Sequence, residues 1–140
     1  MNQSYGKRDK YGGYQLQIEG QLLIARVSGV IGSGLSKSYL NNLLQLAQQL
    51  QGKPWVYIAD CTGYQASIPD AASNLQKAYE ECLKLGCVGD AYCIDSPVGI
   101  NQLAQIRRES KISTDIQKRI FADLDKAKAA MLKFLQDAVF

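Results

Sequence analysis

The sequence contains no histidine, and its four cysteines, Cys61, Cys82, Cys87 and Cys93, show no Cys-x-x-Cys spacing. This residue set does not fit a zinc site, whose ligands are clustered cysteine and histidine side chains. The missing histidine also removes the commonest general base and the usual partner of a serine or cysteine nucleophile. Most hydrolase mechanisms are therefore disfavoured, and we expect no metal, no cofactor and no enzymatic activity.

The sequence also lacks a strong excess of charge and a long apolar run. Sixteen Lys and Arg residues stand against 13 Asp and Glu, a formal net charge of +3, and both signs are scattered along the chain. No basic face interleaved with aromatic residues is apparent, so nucleic acid is not an expected partner. The N-terminal residues form neither a secretory signal nor a membrane span, and we expect a cytoplasmic protein without an integral membrane segment.

The length and composition indicate one globular domain. The chain has 140 residues, of which 46% are hydrophobic and 21% charged, values typical of a soluble domain with one core. The polar, glycine-rich segment 1–13 is predicted to be a flexible tail, and residues 14–140 to form the single domain.

Apolar periodicity alternates between strand-like and helix-like along the domain. "YQLQIE" and "LLIARVSG", on either side of Glu19-Gly20-Gln21, predict a β-hairpin. "WVYIAD" reads as a strand buried on both faces, and "CVGDAYCID" and "KRIF" as two further strands. Helices are predicted at 35–51, 69–85, "GINQLAQIRRESK" and 123–138. The order ββαβαβαβα defines an α/β fold with a mostly parallel central sheet of about five strands, an antiparallel N-terminal edge strand and about four flanking helices.

In such sheets, binding sites gather outside the carboxyl ends of the strands. Three loops are predicted there, at 29–34, 60–69 and 95–99. The first, "GVIGSGL", spaces its glycines as G-x-x-G-x-G, which is neither the dinucleotide fingerprint nor the P-loop. We therefore interpret it as a plain turn into a helix, with Ser33 as the N-cap.

The second loop begins with Asp60 and Cys61. Cys61 stands where a nucleophile would be exposed, but no histidine can activate it and Asp60 would raise its pKa, so we interpret it as a small core residue. Asp60 and Asp95 end neighbouring predicted strands and have two interpretations. They could form a carboxylate pair for a cation or for proton transfer, or each could cap the turn after its strand, which we favour.

The order of these segments resembles the STAS superfamily, the fold of bacterial anti-sigma-factor antagonists, and within it the SpoIIAA-like branch, often described jointly with the lipid-binding SEC14 class. The resemblance extends from about Tyr14 to Leu135. It rests on "ARVSGVIG", on "VYIADCTGY", on "LGCVGDAYCIDS" and on "RIFADLDKAKAAM". It implies a layered STAS-like fold and a role in binding or regulation.

Phosphoregulated members of that superfamily carry a modifiable serine at the start of the second helix. The corresponding turn here is Ile68-Pro69-Asp70-Ala71, which lacks the serine, and Asp70 already supplies a negative charge at the helix N-terminus. The resemblance therefore implies a constitutive module rather than a phosphoswitch. Ser67 and Ser73 flank the turn and remain alternative phosphorylation sites.

Three hypotheses of function follow. The first is a non-enzymatic STAS-like module that recognises a protein partner or a small ligand, with the following site residues: Asp60, Thr62, Gly63, Tyr64, Ser67, Ile68, Asp70, Asp95 and Ser96. The second is a carrier of an apolar, lipid-like ligand between the sheet and the first two helices, as the SEC14 association implies. The third is a small enzyme that uses Asp60, Cys61 or Asp95. A homodimer is also expected if Tyr39, Tyr64, Tyr79 and residues 139–140 leave apolar surface exposed.

Overall fold

The computed structural model describes residues 4–67 and 69–138, which form a five-stranded sheet with helices on both faces. The strands are β1 (Ser4–Arg8), β2 (Gly12–Glu19), β3 (Leu22–Ile31), β4 (Trp55–Ser67) and β5 (Cys87–Cys93). The helices are α1 (Ser33–Leu50), α2 (Pro69–Lys84), α3 (Pro97–Glu109) and α4 (Leu124–Ala138), with a short 3-10 helix at Ile116–Arg119. Within this described part, no helix has both the length and the hydropathy of a membrane span.

The strands lie side by side in chain order, β1-β2-β3-β4-β5. The pairs β1–β2 and β2–β3 are antiparallel, whereas β3–β4 and β4–β5 are parallel and are connected through α1 and α2. This is the α/β architecture expected from the sequence, with an antiparallel edge and parallel central strands.

Two apolar layers cover unequal parts of the sheet. The larger core lies between one face and helices α1, α2 and α3, and it includes the predicted α1 stripe of Leu35, Tyr39, Leu43, Leu46 and Ala47. On the opposite face, Ala127, Met131 and Leu135 of α4 pack over the inner parts of β3, β4 and β5. Within the described residues, the apolar cluster under α4 includes no residue of β1 or β2, and Lys128 of α4 pairs with Glu19 at the end of β2 at 3.2 Å.

Strand β4 is longer than predicted. The predicted strand ended at Asp60, but the structure continues it to Ser67, so the expected loop 60–69 is largely strand. Arg26 of β3 pairs with Asp60, and Ser28 pairs with Gly63, so β4 holds one extra residue and forms a β-bulge. A second irregularity follows between Gly29 and Val30. The extension is explained by β3, which itself continues to Ile31 and needs backbone partners along its full length.

Two other predicted segments are wrong. The expected flexible tail contains strand β1, whose backbone pairs with β2 from Ser4 opposite Gln17 to Arg8 opposite Gly13. The expected strand "KRIF" instead spans the end of the 3-10 helix and the two residues after it. The start of that helix is capped by Asp115, whose side chain accepts a hydrogen bond from the Gln117 N–H at 3.0 Å. Only Ile120 bridges to the sheet, opposite Tyr92.

Two helix starts show how local hydrogen bonding compares with prediction. Helix α1 already includes Ser33, and its N-cap is Gly32 without a side-chain bond, so Ser33 is not the cap. In α3 the N-cap is Ser96, whose Oγ accepts a hydrogen bond from the Gly99 N–H at 3.2 Å. The predicted loop 95–99 is therefore shorter than expected, because its last three residues form the first turn of α3.

Candidate functional site

The bulge of β4 places Asp60 and Thr62 at the carboxyl end of the sheet. The Asp60 Oδ1 accepts hydrogen bonds from the backbone N–H of Thr62 at 3.2 Å and from the Thr62 hydroxyl at 2.6 Å. This is the capping role predicted for Asp60, here within a bulged strand rather than in a loop. The carboxylate therefore fixes the backbone where β4 departs from regular pairing, and Thr62 and Gly63 remain exposed.

A polar cleft lies beside this bulge, on the side of the sheet that carries α4. Its volume is about 280 Å³. The residues that line this sheet-face cleft are Arg8, Gly13, Tyr14, Gln15, Arg26, Val27, Ser28, Asp60, Thr62 and Gly63. The strand register explains the set, because paired residues on neighbouring strands share a face: Gln15, Arg26 and Asp60 form one row across β2, β3 and β4. The next row holds Arg8, Gly13, Ser28 and Gly63.

Two glycines give the sheet-face cleft its floor. A Cβ on Gly13 would lie 2.7 Å from Arg8 Cγ, so the stem of Arg8 lies across β2 in the space that a side chain at residue 13 would fill. A Cβ on Gly63 would lie 3.2 Å from Ser28 Cβ, so β3 and β4 approach closely at this position. Both glycines thus let neighbouring strands and side chains pack closely at the base of the cleft.

The two arginines of the sheet-face cleft are exposed. Among the described residues, neither the Arg8 nor the Arg26 guanidinium has an ion-pair or hydrogen-bond partner. Asp60 lies opposite Arg26 in the strand register, but its Oδ1 accepts a hydrogen bond from Thr62 and none from the arginine. The cleft therefore presents two unused cationic groups next to one engaged carboxylate.

A second cleft, of about 280 Å³, lies at the ends of β4 and β5. Its lining residues are Thr62, Cys93, Ile94, Asp95, Ile120, Phe121 and Ala122. Thr62 lines both clefts, whereas Asp60 lines only the first and Asp95 only the second. The structure therefore does not place Asp60 and Asp95 in a common cleft. No group of three or more Cys, Asp or Glu residues that could hold a metal ion occurs in the described part of the chain.

Tyr64 does not belong to either surface cleft. It is 4% exposed, and its hydroxyl donates a hydrogen bond to Gln102 Oε1 of α3 at 2.9 Å. The bulge has turned its side chain toward the helix layer, so the prediction that Tyr64 contacts a partner at the surface is wrong. Tyr39 and Tyr79 are buried as well, which removes the tyrosine surface on which the homodimer expectation rested. Residues 139–140 lie outside the described residues.

The remaining predicted site residues lie near the junction of β4 and α2. Ser67 is the last residue of β4, and Asp70 lies in the first turn of α2, where we describe only the backbone. Ile68 lies outside the described residues. Ser73 is exposed on α2.

The cysteines lie in environments that favour the protonated thiol. Burial, with smaller contributions from Asp60 and Cys93, raises the pKa of Cys61 to about 12. Burial also raises the pKa of Cys87 to about 12 and that of Cys93 to about 11. Because the thiolate is the nucleophile, Cys61 is almost entirely unreactive near neutral pH. This agrees with the interpretation of Cys61 as a core residue.

Sequence analysis missed a buried polar network beneath α3. Arg107, 2% exposed, donates from Nε to Asp90 Oδ2 at 2.6 Å and from Nη2 to Asp90 Oδ1 at 3.0 Å. Its Nη1 donates to the Thr114 carbonyl. An aspartate inside the apolar run "CVGDAYC", together with an arginine on the buried stripe of α3, was the signal that could have revealed the pair.

Tyrosine hydroxyls extend this network. The Tyr92 hydroxyl lies 2.8 Å from Asp90 Oδ2 and 2.8 Å from the Tyr79 hydroxyl. A carboxylate paired with arginine only accepts, so the single Tyr92 proton points to Asp90 and Tyr79 donates to the Tyr92 oxygen. Tyr57 contacts both rings edge-on and bonds to the Tyr39 hydroxyl. Every member has a partner, so the network specifies packing in the core.

The spaces between the sheet and the helices are small. One, of about 30 Å³, is lined by apolar groups that include Leu75, Leu103 and Tyr57. Another, of about 90 Å³, lies beside Asp90 and Arg119 near the outer edge of β5. Sites for drug-sized ligands usually have roughly 300–1,000 Å³, so neither space accommodates a lipid in this conformation.

The comparisons with known proteins give little information. No protein-family model and no curated protein matches the chain. A solved structure described as "Crystal Structure Analysis of Mglu" is similar with a TM-score of 0.46 and 13% sequence identity, over 59% of this chain and 19% of that one. A similarity of this extent carries no argument about fold or function.

Proposed function

We propose that this protein is a non-enzymatic, STAS-like binding module that recognises a protein partner with the exposed sheet face around the β4 bulge. The observation that carries the proposal is the sheet-face cleft: Asp60, Thr62 and Gly63, selected from the sequence, line it together with two arginines that have no partner among the described residues. Polar side chains on a rigid strand, held by the Asp60–Thr62 bonds, suit recognition because little order is lost on binding.

The chemistry of the cleft supports binding rather than catalysis. The sequence has no histidine, and the nearest thiol, Cys61, faces the helix layer with a pKa raised to about 12. The Asp60 carboxylate is engaged in shaping the bulge. These groups offer hydrogen bonds and charge, but no activated nucleophile.

We further propose that the module acts without the phosphoserine switch of the STAS antagonists that it resembles, since Asp70 lies in the first turn of α2, at the position of that serine. Ser67 and the exposed Ser73 remain the alternative sites of modification. All four cysteines are free, which suits the reducing cytoplasm. Carriage of an apolar ligand is the weaker candidate, because the spaces of about 30 Å³ and 90 Å³ are too small for a lipid.

The proposal is tested by blocking the cleft. Gln15 is exposed in the middle of β2. The substitution Gln15→Trp fills the sheet-face cleft with a residue type that strands favour. Gln45→Trp, on the exposed face of α1, is the matched control. We expect proteins that copurify with the tagged wild type from its own host to be lost with Gln15→Trp and retained with Gln45→Trp, at similar melting temperatures. Retention by both variants would reject this surface.

A further inference from the structure

We infer that the sheet-face cleft recognises a phosphate monoester carried on a side chain of the protein partner. The inference rests on the function proposed above and specifies the chemistry of the bound group. It is carried by three residues that the register brings to one place: Arg8, Arg26 and Ser28.

The two arginines line the same cleft from the strands on either side of β2. Arg8 lies on β1 and Arg26 on β3, with β2 between them. The stem of Arg8 crosses β2 over Gly13, as the 2.7 Å separation between its Cγ and an added Cβ shows, and so runs toward β3. Arg26 lies in the neighbouring row of paired residues, opposite Gln15 of β2. The cleft of about 280 Å³ that both arginines line leaves space for a small anionic group beside them.

The polar groups of the sheet-face cleft that are available to a ligand are mostly hydrogen-bond donors. Neither guanidinium has a partner among the described residues, and the Ser28 hydroxyl is likewise unpaired there. The Thr62 hydroxyl already donates to Asp60 Oδ1, so this carboxylate oxygen has a hydrogen-bond partner within the protein. The guanidinium groups only donate, so a ligand that engages both arginines must be an acceptor, and planar guanidinium groups bind oxyanions most effectively.

The charge balance favours phosphate over a carboxylate. Asp60 lies in the same row as Arg26 and offsets part of the positive charge. A phosphate monoester carries about −1.5 to −2 charges and three acceptor oxygens, so it can bond to two arginines and a hydroxyl at once. A carboxylate has only one charge and two oxygens, so it compensates less of the positive charge and offers fewer acceptor atoms to these donors.

The test uses capped tripeptides as probes: acetyl-Ala-phosphoserine-Ala-amide, and the same peptide with serine or glutamate at the centre. Binding is followed by ¹H–¹⁵N NMR at the Gly13 and Gly63 amides. We expect the phosphoserine probe to shift these amides with a dissociation constant in the millimolar range, the glutamate probe to bind more weakly, and the serine probe to cause no shift.

Two variants remove single cationic groups from the cleft, and a third is their control. Arg8→Gln and Arg26→Gln should each weaken binding of the phosphoserine probe about tenfold, the effect of losing a charge-assisted hydrogen bond. Lys7→Gln removes the same charge from the neighbouring residue of β1, whose side chain points to the opposite face, and should leave binding within about twofold.

Equal shifts with the phosphoserine and serine probes, or an equal loss with Lys7→Gln and Arg26→Gln, would overturn the phosphate assignment. Neither result depends on capture of the partner. If Gln15→Trp still abolishes that capture, the binding surface stands while its phosphate specificity falls. If capture is unaffected by Gln15→Trp, the surface itself is wrong.

Discussion

Replacing Asp90 by Asn should destabilise the fold strongly, because it leaves a buried cation without its counter-charge. Arg107 is 2% exposed, and both of its bonds to side chains, at 2.6 and 3.0 Å, go to the Asp90 carboxylate. Breaking a buried ion pair by removing one partner costs roughly 3–5 kcal/mol. Asparagine keeps the shape and one acceptor oxygen, so the lower end, about 3 kcal/mol, is expected. For a domain of this size that corresponds to a decrease in Tm of roughly 10 °C.

The assay is urea denaturation followed by far-UV circular dichroism, with thermal melting as a second measurement. Asp95→Asn is the matched control, since Asp95 is exposed beyond the end of the same strand, and surface changes of this kind cost less than about 0.5 kcal/mol. If Asp90→Asn were no more destabilising than Asp95→Asn, the Asp90–Arg107 pair would not be the buried, charge-dependent contact described above.

Three further predictions concern the core behind the bulge. Tyr64→Ala should lower the free energy of unfolding by about 3–5 kcal/mol, because it removes a buried ring. Tyr64→Phe should lower it by only about 1 kcal/mol, for the lost hydrogen bond to Gln102. Urea titrations measure both values, and equal losses would show that packing is not the larger contribution. The pKa of Cys61 rises on folding from 9.0 to about 12, so the folded state disfavours the thiolate and stability should fall as the pH rises from 9 toward 12. The urea midpoint should fall less with pH in Cys61→Ala; an identical pH dependence would contradict this. At neutral pH, a thiol reagent should modify Cys61 more slowly than a free cysteine peptide, and an equal rate would show that the thiol is accessible.

The parts of the fold that the sequence predicts well are those with local apolar periodicity. The stripe of α1 and the apolar run Trp55–Asp60 identified a helix and a central strand because burial alone determines their patterns. Strand β1 and the second half of β4 were missed because they are rich in polar residues and glycine, without a regular apolar alternation, and because their pairing is non-local. The pairing with β2 and β3 supplies their stability, and no single-sequence pattern records it.

The same distinction holds for the candidate site. Asp60 and Thr62 were identified because they follow an apolar strand, and the structure confirms the capping role of Asp60. Tyr64 was assigned to the surface because the bulge, which reverses the alternation of side chains after Cys61, was not foreseen. Arg8 and Arg26 come from distant strands, and only the register reveals that they share a cleft with Asp60.

The most direct test of the binding surface is arginine footprinting of the complex with its captured partner. Phenylglyoxal would modify Arg8 and Arg26 in the free protein, since both are exposed, and also Arg108, which is exposed on α3 in the helix layer. We predict that the partner slows modification of Arg8 and Arg26 and leaves Arg108 unchanged. Unaltered modification of Arg8 and Arg26, with protection of Arg108 instead, would place the partner on the helices and contradict the account.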